Sequence, residues 1–251
     1  MIKKIIFYLT LLIKQRTYKV ESQKVKYVFQ KGSNDNNLVV VFSGFPKKNQ
    51  TARYNYMRTL GGINSNKLFI LDDIGPNKSG AYYLGKNKNF SFANAVEKLI
   101  AKLNDELSPE KVIFCGSSKG GYSALYFGLK MNAKVVISGA QQYYIGNYLY
   151  QNDHRPIYNY LTGSNDETNI EFMNNILINE IIKQENKPII HLHYSKNEHT
   201  YNEHIKDLIE DLEENNYSVF KDEGTYHTHA EVARYFPHYL IKTINKYLSL
   251  N

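Results

Sequence analysis

Short runs of β-branched and aromatic residues alternate along this chain with longer stretches in which apolar residues recur every three or four positions. That alternation predicts strands interleaved with helices around a mostly parallel sheet. Lys24 to Gln30 (KVKYVFQ) switches between apolar and polar, the pattern of an early antiparallel strand with one wet face. Leu38 to Ser43 (LVVVFS) is continuously apolar, as a central strand covered on both faces has to be. Lys67 to Leu71, Lys111 to Cys115, Lys134 to Ser138 and Pro188 to Tyr194 are of the same kind, and Tyr217 to Phe220 supplies a last strand. Between them, Ser91 to Leu107 places Phe92, Val96, Leu99, Ile100 and Leu103 on one helical face and stops at Ser108-Pro109. Lys119 to Met131, Tyr201 to Asn215 and Ala230 to Leu248 are further helices. The last two turn Ile205, Leu208, Ile209 and Leu212, and Val232, Phe236, Tyr239 and Leu240, toward a core.

The expected architecture is α/β, a mostly parallel central sheet with helices on both faces. There is no internal repeat or low-complexity linker, so residues 24–251 read as one domain. One segment breaks the rhythm. Residues 141–187, long, polar and Tyr-rich with a helix near Glu171 to Gln184, sit between two core strands, where a cap or lid insert that binds an acceptor is expected. Residues 1–23 read as a leader or peripheral helix. Ile5 to Ile13 is apolar but too short to span a bilayer, and no small-residue cleavage site follows it.

Composition narrows the partners. A formal net charge of +7 suits an acidic one: a polyanionic polymer, a phosphorylated cofactor or an anionic membrane face. No dense Lys/Arg run or nucleic-acid motif is present, which argues against nucleic acid. The single cysteine, Cys115, excludes an intramolecular disulfide and fits a reducing cytoplasm. The basic leader leaves room for loose association with the inner face of a membrane or with an assembly complex, and self-association is equally open.

The chemistry concentrates in Cys115-Gly116-Ser117-Ser118-Lys119-Gly120-Gly121, which holds G-x-S-x-G centred on Ser118. A nucleophile on a sharp strand-to-helix turn needs small residues two positions away on each side, and Gly116 and Gly120 meet that need. Ser117 has Cys115 at the first of those offsets and ranks below Ser118; Cys115 itself falls in the strand. The order needed for a Walker-type phosphate loop is absent. In a serine triad of this order an acid and then a histidine follow. Glu198 is the only carboxylate in the loop after Pro188 to Tyr194, ahead of the weaker Asp166, Asp207 and Asp222. His227 and His229 compete as base just before the last helix, and His227 is preferred because a loop position reaches more freely. Backbone N–H groups of Lys119 and Phe45, in Ser43-Gly44-Phe45-Pro46, would form the oxyanion hole. Lys47, Lys48 and Arg53, with Arg58 and Lys119 nearby, are candidate phosphate or polyanion contacts. His191 and His193 share a strand face, but no zinc-type spacing accompanies them, so no metal is expected.

Phe42-Ser43-Gly44-Phe45-Pro46, Arg53-Tyr54-Asn55-Tyr56, the GSSKGG block, Ser195-Lys196-Asn197-Glu198 and His227 together resemble bacterial capsular polysaccharide O-acetyltransferases of α/β-hydrolase fold. More distantly they are similar to the acetyltransferase component of accessory Sec adhesin-glycosylation systems. The resemblance runs from about Lys24 onward. It implies acetyl transfer from acetyl-CoA, with no bound cofactor, to a hydroxyl of a capsular or other surface polysaccharide through an acyl-serine. Ser118 would be nucleophile, Glu198 acid and His227 base. The acid in that group is often Asp, where this chain has Glu. A serine carboxylesterase or carbohydrate deacetylase would use the same triad.

Overall fold

The computed structural model describes residues 13–33, 36–151 and 153–249. The leader's apolar run lies almost wholly outside them. The strands are β1 (Gln15–Val20), β2 (Gln23–Gln30), β3 (Asn37–Phe42), β4 (Asn66–Leu71), β5 (Lys111–Ser117), β6 (Val135–Gly139), β7 (Ile189–Tyr194) and β8 (Val219–Glu223). They form one sheet in the order β1-β2-β4-β3-β5-β6-β7-β8. β1 pairs antiparallel with β2, and β2 with β4; every pairing from β4 through β8 is parallel. Residues 15–20, read from sequence as part of the leader, are therefore an edge strand. In QRTYKV only Tyr18 and Val20 pack against the core and the rest is polar or charged, as an edge tends to be, so its hydrophobic pattern is a short and weak strand signal.

The helices among the described residues are α1 (Ser91–Leu107), α2 (Lys119–Lys130), α3 (Ile145–Tyr150), α4 (Arg155–Thr162), α5 (Ile170–Lys183), α6 (Lys206–Glu214) and α7 (Val232–Leu248). The continuous apolar run of β3 has the reason expected of it. Leu38, Val40 and Phe42 enter a core shared with α1, α2, α5 and α6, while Val39 and Val41 enter a second core closed by α7 and by Met57, Leu60 and Ile63. Within 141–187, Tyr143, Ile145, Leu149, Ile157, Tyr158, Met173 and Leu177 belong to the first of these cores. The inserted helices are thus packed into the body of the domain. All parallel strands end on the same side, which gathers the loops after β3, β5, β6 and β7 into one neighbourhood.

Candidate active site

Ser118 stands alone between β5 and α2 with φ 54° and ψ −128°. A non-glycine residue with positive φ stores strain that the surroundings must hold, and between a strand and a helix it has the form expected of a nucleophile turn. The clamps are visible. The Ser118 N–H donates to Gly139 O at the end of β6, 2.8 Å away. A Cβ at Gly116 would collide with the Gly120 carbonyl, and one at Gly120 would come within 2.5 Å of Phe42 O. Both glycines are thus required by backbone approaching from two sides. Ser117 faces elsewhere, its Oγ 2.5 Å from Tyr56 Oη. Cys115 is fully buried, and burial pushes its thiol far up.

The histidine that meets Ser118 is His229, not His227: His229 Nε2 lies 2.9 Å from Ser118 Oγ. The reason is a capping box. The Glu231 carboxylate accepts from the N–H of His227 (3.0 Å) and of Thr228 (2.9 Å) and from Thr228 Oγ1 (3.0 Å). This ties the loop down at His227 and Thr228, so that helical structure begins at His229, and leaves His227 exposed. His229 opens the short 3-10 turn His229–Glu231 ahead of α7, and that turn aims its ring at the strand ends.

Glu198 is where the chain order placed it. It is buried, at 1% exposure, in the turn after β7. Oε1 lies 3.4 Å from His229 Nδ1 and 3.1 Å from Nδ1 of the exposed His199, and Oε2 accepts from Thr200 Oγ1. The contact with His229 is within ion-pair reach but outside hydrogen-bond geometry. Catalytic contacts of this kind are often slack in a free enzyme and tighten around substrate. Burial pushes the Glu198 carboxyl up, but His229, Thr200 and His199 outweigh it and hold the group below its usual value. Of the weaker acids, Asp166 caps a 3-10 turn, Asp207 accepts from Tyr144 and Asp222 pairs with His193.

Gly44 lies against the nucleophile turn: a Cβ there would sit 3.3 Å from Ser117 O. The Gly44 N–H donates to Asn55 Oδ1 at 3.1 Å, so of the expected stretch Ser43-Gly44-Phe45 this amide is already engaged. Lys119 is the first residue of α2, so its N–H has no acceptor within the helix. Its side chain corrects the sequence reading. Instead of joining a basic surface, Lys119 Nζ is buried in an ion pair with Asp72 Oδ2 at 2.6 Å, both side chains fully covered. Asp72 Oδ2 also accepts from the N–H groups of Ala81 and Tyr83. The pair fastens the nucleophile turn to the end of β4. Burial lowers the Lys119 ammonium, partly offset by Asp72. Lys47 and Lys48 line a cleft of about 700 Å³ with Phe45, Asn77, Asp153 and His154; Arg53 is exposed outside that lining. His191 is held between Tyr239 Oη and Tyr247 Oη, each 2.8 Å away.

Two neighbours of the site carry no motif. Gln142 Nε2 lies 3.3 Å from Ser118 Oγ, and Thr200 supports Glu198. Only the fold brings them there.

An eight-stranded sheet in this order, with a strained serine between β5 and the next helix and a histidine ahead of the last helix, defines the α/β-hydrolase fold. Solved structures agree. The chain superposes on the capsule O-acetyltransferase of Neisseria meningitidis serogroup A with a TM-score of 0.76 at 22% identity, covering 91% of this chain and 92% of that one. A histidine variant of that enzyme in complex with CoA gives 0.77 at 21%, covering 92% and 95%. A glycosylation-associated protein complex from Streptococcus agalactiae gives 0.75 at 18%, covering 92% of this chain and 46% of that one. In sequence, an accessory Sec system protein of Staphylococcus aureus is 27% identical over 130 residues, a match spanning 51% of this chain and about a quarter, 24%, of that protein. No family model matches the chain. No helix among the described residues is long and apolar enough to cross a membrane.

Proposed function

We propose that this chain is an O-acetyltransferase that carries acetyl from acetyl-CoA to a hydroxyl of a capsular or other surface polysaccharide, through an acetyl ester on Ser118. The observation that carries this reading is the 2.9 Å contact between His229 Nε2 and the oxygen of a serine held at φ 54°. The likeness to a capsule O-acetyltransferase, and to a form of it in complex with CoA, supports the choice of donor and acceptor.

In the first half-reaction His229 Nε2 takes the Ser118 proton as Oγ bonds to the thioester carbonyl carbon. The N–H groups of Lys119 and Phe45 receive the charge on the carbonyl oxygen. The carbon–sulfur bond then breaks, and the thiol leaves with the proton from His229. In the second half the sugar hydroxyl gives its proton to His229 and bonds to the acetyl carbon. The carbon–Oγ bond breaks and Oγ recovers the proton. Glu198 keeps the Nδ1–H tautomer facing it and stabilises the imidazolium between steps. Lys47 and Lys48, on the cleft beside Phe45, would receive the phosphates of CoA, and the exposed Arg53 would extend the same basic surface. The inserted helices of residues 141–187, rich in Tyr, would face the acceptor.

Mass spectrometry of protein exposed to acetyl-CoA tests the reading. Acetyl is expected on Ser118, and its release should accelerate when capsular oligosaccharide is added. Fast cleavage of simple acetyl esters with thiol release indifferent to any glycan would make the chain a carboxylesterase or deacetylase instead.

A further inference from the structure

Gln142 is buried, at 1% exposure, and its side-chain amide bridges two groups. Nε2 donates to Ser118 Oγ at 3.3 Å, and Oε1 accepts from Tyr82 Oη at 3.2 Å. Tyr82 is fully buried, and burial raises its phenol well above the usual range, so it stays a proton donor. With Tyr82 donating to Oε1, the amide presents its N–H toward Ser118.

The backbone that delivers Gln142 is itself constrained. Ala140 has φ 43°, a region an alanine rarely occupies. It is held there by its N–H, which donates to His193 O at 2.8 Å, while the carbonyl of Gly139 takes the Ser118 N–H. The strained turn after β6 is thus tied to the nucleophile turn on one side and to β7 on the other. Strain held from two sides in this way fixes where the residues that follow, Gln141 and Gln142, are placed.

We infer that Gln142 is a further catalytic residue, an N–H donor to Ser118 Oγ held in place by Tyr82. This rests on the acyl-serine reading above. The donor fixes the direction of the serine hydroxyl: Oγ accepts from Gln142, so its own proton points to His229 Nε2. The same N–H then faces the oxygen at the two moments when it carries excess negative charge. One is loss of its proton to His229 during acylation. The other is cleavage of the carbon–Oγ bond as the sugar oxygen replaces it. Between them, in the acetyl ester, Oγ is a poor acceptor and the N–H is released toward the acyl group or the incoming hydroxyl.

Two substitutions separate this role from packing. Gln142→Leu removes both contacts. Gln142→Glu keeps an acceptor for Tyr82 but presents no donor to Ser118 once ionised. Single-turnover thiol release from acetyl-CoA, and labelling of Ser118 by a fluorophosphonate probe, would be followed at alkaline pH alongside CoA affinity and thermal melting. Both variants should acylate about 10- to 100-fold more slowly with CoA affinity unchanged, and Gln142→Glu should be no faster than Gln142→Leu. Tyr82→Phe, which frees the amide to rotate, should be slowed less than either. Wild-type rates in Gln142→Glu would overturn the inference, because packing and the Tyr82 bond survive there. If the wild-type protein itself takes neither acetyl nor probe on Ser118, the acyl-serine reading fails and Gln142 falls with it.

Discussion

Two histidine–carboxylate pairs are built to opposite specifications, one on the last two parallel strands and one in the loops that follow them. His193 Nδ1 sits 2.6 Å from Asp222 Oδ2, its ring stacked on Tyr239 and tilted against Tyr226 and Phe236, its Nε2 buried with no partner among the described residues. His229 sits 3.4 Å from Glu198, a third of its side chain exposed, with Nε2 on a serine oxygen. By distance alone the first pair looks the more purposeful. Among the described residues its free nitrogen meets no group that could react. A catalytic histidine must accept and return a proton, so it needs a reacting atom on one nitrogen and enough freedom to follow the charge. A structural one needs only to be satisfied or covered.

The comparison breaks most visibly at the bases. His229→Ala should cut acetyl-enzyme formation by about 10³-fold or more, as loss of a general base does in serine triads. A stopped-flow thiol-release assay within a few-fold of wild type would move the base elsewhere. Glu198→Gln comes next, with a loss of about 10²- to 10⁴-fold from a misplaced tautomer, read in the same assay with unchanged CoA binding.

Smaller effects belong to the structural side. Burial lowers His191 and His204 to about 4, helped by Lys246 for the first and by His199 for the second. An unfolded imidazole titrates near 6.5. Between those values the unfolded chain binds protons that the folded chain does not. Stability therefore falls as pH drops from about 6.5 to about 4, by as much as about 3 kcal/mol for each histidine. Urea titrations across that range should show the slope, and His191→Phe should flatten part of it. Asp222→Ala should cost about 1–3 kcal/mol by stranding His193, visible in melting, with acylation within about twofold of wild type. The least change is expected from His227→Ala, whose acylation rate should match wild type; a large loss there would reverse the assignment of the base.

How much of this was legible in the sequence varies by element. β3 and α1 could be read almost to the residue, because a central strand and an amphipathic helix each write their environment into their own periodicity. The nucleophile turn was legible for a similar reason: the steric demand on Gly116, Ser118 and Gly120 falls on residues two apart in the chain. β1 was not, since this edge strand brings only Tyr18 and Val20 to the core and otherwise pairs through its backbone. Lys119 was misread as surface because its ion-pair partner, Asp72, lies 47 positions away.

The sequence by itself determined the fold class, Ser118 as the residue on the strained turn, and the order in which a carboxylate and a histidine would follow. Those depend on local sterics and on chain order. Only the tertiary structure showed that His229 rather than His227 meets Ser118 Oγ, since a capping box sets where the helix begins. Only it placed Gln142 beside the serine oxygen. A side chain reaches that oxygen by lying above the neighbouring parallel strand, and no spacing along the chain encodes which residue that will be.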